Sequence, residues 1–261
     1  MNEVLNLFKP NKMISKSTVT LMVSIQIGFF IVLWIFSPFV FLPTPQETLH
    51  AFSGQWDHGI AGDIATSFML NLQAIAVATI LSLFLAYATV LPFFRPIISI
   101  VGKFRFLSLT GLTFFFTMMT HSGHELKLYL LVFSISVFFV DGMVSVLNAI
   151  PKEQYDLARS LRMGGWREVW EVVIIGQADK AFDVLRQNAA IGFMMLTMVE
   201  SMSRTEGGVG NVLTDQSRHF YLADVMAIQI AILIIGLGQD YMIGMFRNML
   251  CPYATLKTER K

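Results

Sequence analysis

What this chain lacks most is charge. Only 14% of its 261 residues are Asp, Glu, Lys or Arg, where soluble domains average about 25%. It has a single cysteine, Cys251, so no internal disulfide framework can form. The formal net charge of +1 leaves no electrostatic footprint for nucleic acid. A phosphate-binding loop of the G-x-x-x-x-G-K-[ST] type is also missing, because Gly102-Lys103 has no upstream glycine at the required spacing. What is abundant is apolar: 54% of residues are hydrophobic, with 23 Phe and 16 Met, and the mean hydropathy is +0.60. A water-soluble chain of this size cannot hide that much apolar surface. Disordered and collagen-like classes are excluded on the same grounds.

The gaps between charges set the architecture. No charged residue occurs over the 30 residues from Ser17 to Gln46, or over the 31 from Ile64 to Phe94. A further 19, Phe106 to His124, are free of charge with His counted as neutral. About 20 helical residues cross a hydrocarbon core of about 30 Å, so each window predicts a spanning helix. Three more windows follow: Leu128 to Leu147, apolar except for Asp141; Leu185 to Ser201, with Arg186 and Glu200 near its ends; and Leu222 to Phe246, which contains Asp224 and Asp240. The expectation is an all-α membrane protein with six transmembrane helices. The first window is too long for the apolar core of a cleaved signal peptide.

Lys and Arg predict the orientation. With six helices, 16 of the 19 basic residues fall on one side and only Lys127, Arg204 and Arg218 on the other. Both termini are therefore expected in the cytoplasm. Residues 1–16 form a cytoplasmic lead, 17–250 the membrane domain and 251–261 a cytoplasmic tail. All five histidines (His50, His58, His121, His124 and His219) fall in outside loops, and two close ligands, His121 and His124, do not make a zinc site.

The longest inside loop, about residues 149–183, reads AIPKEQYDLARSLRMGGWREVWEVVIIGQADKAFD. Pro151 suits a helix start, with Glu153 near the positive end of the dipole. Tyr155, Ala158, Leu161 and Arg162 share one face. Gly164-Gly165 is expected to stop this helix through a left-handed cap. A second, amphipathic helix is expected from Trp166, with Trp166, Val169, Trp170 and Val173 on its apolar side.

This stretch resembles the cytoplasmic signature loop of binding-protein-dependent ABC importer permeases, whose pattern is Glu-Ala-Ala, three residues, Gly, about nine residues, then Ile-x-Leu-Pro. Aligned without gaps, Asp156-Leu157-Ala158 takes the Glu-Ala-Ala place and Trp166 a commonly aromatic one. Val172 to Ile175 takes the end. Asp replaces Glu, Leu replaces the first Ala, Arg162 stands at the family Gly, and Ile175 replaces the Pro. Two further segments resemble the nitrate/sulfonate/taurine branch. Phe41-Leu42-Pro43-Thr44-Pro45-Gln46-Glu47-Thr48-Leu49 is similar to its Leu-Pro-Ser-Pro-x-Glu-Val segment, and Val199-Glu200-Ser201 followed by Glu206-Gly207-Gly208-Val209-Gly210-Asn211-Val212-Leu213 to its Ala-Glu and Gly-Leu-Gly-x-Leu segments.

The resemblance implies a type I permease fold that acts as half of a homodimeric pore. It implies two ABC ATPase subunits on the cytoplasmic side, which bind ATP and Mg, and a periplasmic or lipid-anchored solute-binding protein outside. The location implied is the bacterial cytoplasmic membrane. This chain would bind no cofactor or metal and would not itself be an enzyme. Asp156, Leu157, Ala158, Leu161, Gly164, Gly165 and Trp166 would form the coupling contact with the ATPase, and Gly207, Gly208 and Gly210 an outer glycine loop. Charges at membrane depth tend to be functional, which makes Glu200 and Asp141 candidates for the solute path. Helix-end anchoring and helix pairing are the respective alternatives. Asp240 is expected to be interfacial. A secondary transporter would normally carry more helices and internal repeats. An intramembrane Ser/His protease would need a histidine at depth.

Overall fold

The computed structural model describes residues 16–36, 39, 41–57, 59–203 and 207–252. The N-terminal lead up to residue 15, His58, residues 204–206 and the tail beyond 252 lie outside them. Every described element is a helix, so the all-α expectation holds. In chain order they are α1 (Lys16–Ile35), α2 (Pro45–Asp57), α3 (Ile60–Ala88), α4 (Arg95–Lys103), α5 (Leu109–Met119), α6 (Gly123–Asn148), α7 (Lys152–Ser160), α8 (Gly165–Glu168), α9 (Ala178–Met202), α10 (Val209–Arg218) and α11 (Leu222–Leu250).

Four of these, α1, α3, α6 and α11, are long and apolar enough to cross a membrane. The other two expected spans are built differently. The window from Phe106 to His124 is not one helix. α5 has 11 residues, about 16 Å of rise, and the segment Arg95–Phe106 meets it at 110°. The break falls where Leu107 and Ser108 are extended. Just before it, Arg105 is tied to Asp141 of α6. The window from Leu185 to Ser201 lies within α9, which has 25 residues. Asp183, Arg186, Gln187 and Asn188 in its first half keep α9 off the set of apolar spans.

The bundle centres on α3, α6 and α9. Ala74, Ala78, Ser82 and Ala86 recur every fourth residue on α3 and are fully buried. Apolar tails surround a membrane helix as well as any side chain does, so association depends on close backbone approach, which small residues permit. Leu130, Leu131 and Ile135 of α6 and Ala189, Leu196 and Val199 of α9 complete this core. Other large apolar side chains point outward: Phe29, Ile80, Phe84, Phe115, Leu233 and Leu237 are all exposed. An apolar exterior over helices that approach along a small-residue stripe is the arrangement lipid favours.

The helix starts share an end. Asp63, Lys127 and Asp224 open α3, α6 and α11, and all three bond to α2 or to the segment entering α10. The far end carries α4, α7 and α8. Two ion pairs clamp α9 against α11 near that end, Arg186–Asp240 and Asp183–Arg247, the latter at 3.0 Å. Cys251, just past α11, is buried.

Candidate functional site

The loop that carries the sequence motif folds as α7, a sharp reversal, α8 and a π-helical turn (Val169–Ile175). Pro151 caps α7 with an extended backbone, and Glu153 lies in its first turn. The reversal differs from expectation. The left-handed residue is Arg162, at φ 55. Gly164 is extended, and Gly165 starts α8. The Arg162 amide donates to the Arg159 carbonyl at 2.9 Å, and the Met163 amide to the Ala158 carbonyl at 3.1 Å. These are the paired bonds of a Schellman cap. The left-handed residue thus falls two positions before the glycines, at the position where the gapless alignment puts the family Gly.

The cap also sorts the expected contact face. Ala158 is 3% exposed and packs inward against its own chain. Within the chain it supports the cap rather than facing outward. Leu157 and Leu161 are each 62% exposed and point away. Asp156 pairs with Arg159 at 3.6 Å, and Arg159 reaches Glu168 of α8 at 3.7 Å. Trp166 and Trp170 are exposed, whereas Val173 is buried. The expected apolar stripe is split because the helix widens to a π turn, which closes with the Gly176 amide donating to the Glu171 carbonyl at 3.0 Å. A Cβ on Gly176 would meet the Val172 carbonyl oxygen at 2.6 Å, so this turn requires glycine. Burial pushes the Tyr155 hydroxyl above its ordinary pKa of 10.0; Glu168 pushes the same way and Arg95 opposes.

Between this loop and the ends of α3, α4 and α6 lies a cavity of about 650 Å³, lined by Arg95, Gly102, Asp141, Tyr155, Arg159 and Glu168 among others. Asp141 accepts from Arg105 at 2.5 Å. It lies against Gly102, where a Cβ would sit 3.3 Å from its Oδ1. Asp141 therefore pairs α6 with the α4 segment and also faces the cavity.

At the opposite end Glu200 and the glycine loop form one unit. Glu200 is 1% exposed. Its carboxylate accepts from the Ser67 hydroxyl at 2.6 Å and from the Gly210 amide at 2.8 Å. The Val209 amide donates to Ser67 Oγ, and the Gly208 amide to Asp63 Oδ1, both at 2.9 Å. These are the first amides of α10, which have no partner within the helix and favour negative charge. Lys127, 2% exposed, donates from Nζ to the Gly207 carbonyl at 2.9 Å. Glycine is required here by space as well as backbone. Gly208 has φ 114, and a Cβ on it would lie 2.5 Å from Glu200 Oε1. A Cβ on Gly210 would meet the Thr197 carbonyl oxygen and lie 2.8 Å from Glu200 Cβ. Deeper in the bundle, Asn71 Nδ2 donates to Gln239 Oε1 at 2.8 Å, joining α3 to α11.

No protein-family model matches this chain, and no curated protein is significantly similar to it. The sequence motifs and the geometry are therefore what a functional reading can use. The sequence singled out Glu200 and Gly207, Gly208 and Gly210 separately, and the structure joins them. It left out Asp63, Ser67 and Lys127, which complete the cluster. Their signal was present in the polar residues at i and i+4 near the start of the apolar α3 window, but a single sequence does not say which distant loop they meet.

Proposed function

We propose that this chain is the permease subunit of a binding-protein-dependent ABC importer in a bacterial cytoplasmic membrane. In this reading two copies form the pathway for a small solute delivered by an external binding protein. Two cytoplasmic ATPase subunits supply the energy through α7. The observation that carries the reading is at α7, a short capped helix that turns its apolar Leu157 and Leu161 away from the chain. Apolar side chains held out on a rigid polar-flanked helix suit a protein groove, and a compact element can pass on a partner's closure as rigid-body motion. The left-handed backbone at Arg162 supports the gapless alignment with the family loop.

The passage of the chain supports six crossings. α3, α6 and α11 start at one end, so the chain must return between them, and the α4–α5 pair and α9 are the segments that do so. Among the described basic residues, Arg95, Lys103, Arg105, Lys152, Arg159, Arg162 and Arg167 lie on or beside α4, α7 and α8, which supports a cytoplasmic assignment for that end. The cluster at Glu200 then lies at the outer mouth and holds the glycine loop in place there. The test is purification of the tagged chain from its native membranes. The expected outcome is recovery of an ABC ATPase in equal copy number with the chain. Recovery of the folded chain without any ATPase, coupled to ion-driven uptake, overturns the proposal in favour of a secondary transporter.

A further inference from the structure

The helix between the first two spans has an apolar face that is left uncovered among the described residues. Around α2, Thr48, Ala51 and Gln55 turn toward the start of α11, where Gln55 Nε2 donates to Asp224 Oδ1 at 3.1 Å. At 100° per residue the next sector holds Phe52, Trp56 and Leu49. All three are exposed, and the Phe52 and Trp56 rings lie 5.9 Å apart. The sector after that is polar and also exposed, with Ser53, Gln46, Asp57 and His50. A helix with a packed side, an apolar side and a polar side in that order has a sharp boundary between oil and water along its length.

Three contacts fix the depth of α2. Trp34, in the last turn of α1, donates from Nε1 to the Pro43 carbonyl at 2.9 Å, which holds the approach to α2 at the end of that span. Thr44 and Glu47 close a capping box, with bonds of 2.8 and 3.3 Å, that starts the helix there. At its other end, Asp57 lies three residues before α3 begins at Ile60, and Gln55 holds the first turn of α11. The helix thus meets the ends of three spans and lies at the level where the bilayer meets water. Trp and Phe favour that zone.

We propose that α2 is a membrane-surface anchor whose Leu49, Phe52 and Trp56 face is seated in the headgroup–acyl boundary, with lipid as its occupant. The helix thereby sets the height of this end of the bundle relative to the bilayer. This inference rests on α1, α3 and α11 being spans and is independent of the transport reading.

The test uses the full chain in phospholipid nanodiscs, in a Cys251→Ser background, with nitroxide labels at Leu49→Cys, Phe52→Cys and His50→Cys. Collision with oxygen, which partitions into lipid, is compared with collision with a water-soluble nickel chelate. Positions 49 and 52 should favour oxygen, and the ratio should invert at position 50. If a cysteine variant does not fold, the fluorescence difference between the native chain and Trp56→Phe reports Trp56 alone, and brominated lipid should quench it. Nickel access at 49 and 52 equal to that at 50 would overturn the proposal. So would protection from both reagents, which would mean a protein cover, or absence of quenching at Trp56.

Discussion

Removing the Glu200 carboxylate should loosen the outer glycine loop while leaving the core of the bundle intact. In Glu200→Ala two buried donors lose their acceptor, the Ser67 hydroxyl and the Gly210 amide. A buried donor left unpaired costs about 1–3 kcal/mol. The Ser67 hydroxyl can rotate toward another acceptor, whereas the Gly210 amide is fixed by the backbone of α10. For two donors the range is about 2–6 kcal/mol, and the net effect should fall near its low end, about 2 kcal/mol, or about a 30-fold increase in local opening. Hydrogen exchange on the protein in nanodiscs reads this directly. Amides from Gly208 to Val212 should exchange about 30-fold faster, while those of Leu130 and Leu131 in α6 stay unchanged. Glu200→Gln keeps one acceptor oxygen and should lie between. A change below about twofold at Gly210 would refute the clamp, because even a weak net hydrogen bond of about 0.5 kcal/mol exceeds that.

Substitutions at five other positions probe separate parts of the structure. Gly210→Ala places a Cβ against the Thr197 carbonyl and Glu200, so overpacking should cost about 1–3 kcal/mol and lower the thermal midpoint. Arg162→Gly removes left-handed strain of about 1–2 kcal/mol but adds unfolded-state freedom of about 0.5–1 kcal/mol. The midpoint should hold or rise slightly, and Arg162→Val should lower it. Ala158→Asp should raise protease cleavage between α7 and α8, since Ala158 is buried, whereas Leu157→Asp should leave cleavage unchanged. Tyr155 has its pKa raised by burial, so the protonated phenol is the form the packed loop favours. The loop should lose that contribution only as pH rises through a value above 10.0, and the absorbance titration difference against Tyr155→Phe should locate the transition there.

The long apolar windows were legible because lipid tolerates few charges over a full crossing. α1, α3, α6 and α11 all follow from charge spacing alone. The α4–α5 bend was not legible, since nothing in the run from Phe106 to His124 marks a break. The contact beside it is remote in sequence, Arg105 pairing with Asp141 36 residues on. The start of α6 was placed too late because Lys127 reads as a loop charge until Gly207 is seen to accept from it. In the inside loop the helix, its start and its position could be read. The stop was misassigned to Gly164-Gly165 because glycine is the usual left-handed residue, and the φ at Arg162 follows from the cap bonds instead. Glu200 could be flagged as unusual from its depth. Its partner on α3, Ser67, lies 133 residues away, and a single sequence carries no signal that links them.

The central claim is that α7 presents Leu161 to an ATPase. It is tested most directly by photo-crosslinking in native membranes with a benzophenone amino acid at position 161. The account predicts an adduct with an ABC ATPase subunit, absent when the same probe replaces Trp56 on α2. An intact, membrane-inserted chain that gives no ATPase adduct from position 161, or the same adduct from both positions, would contradict it.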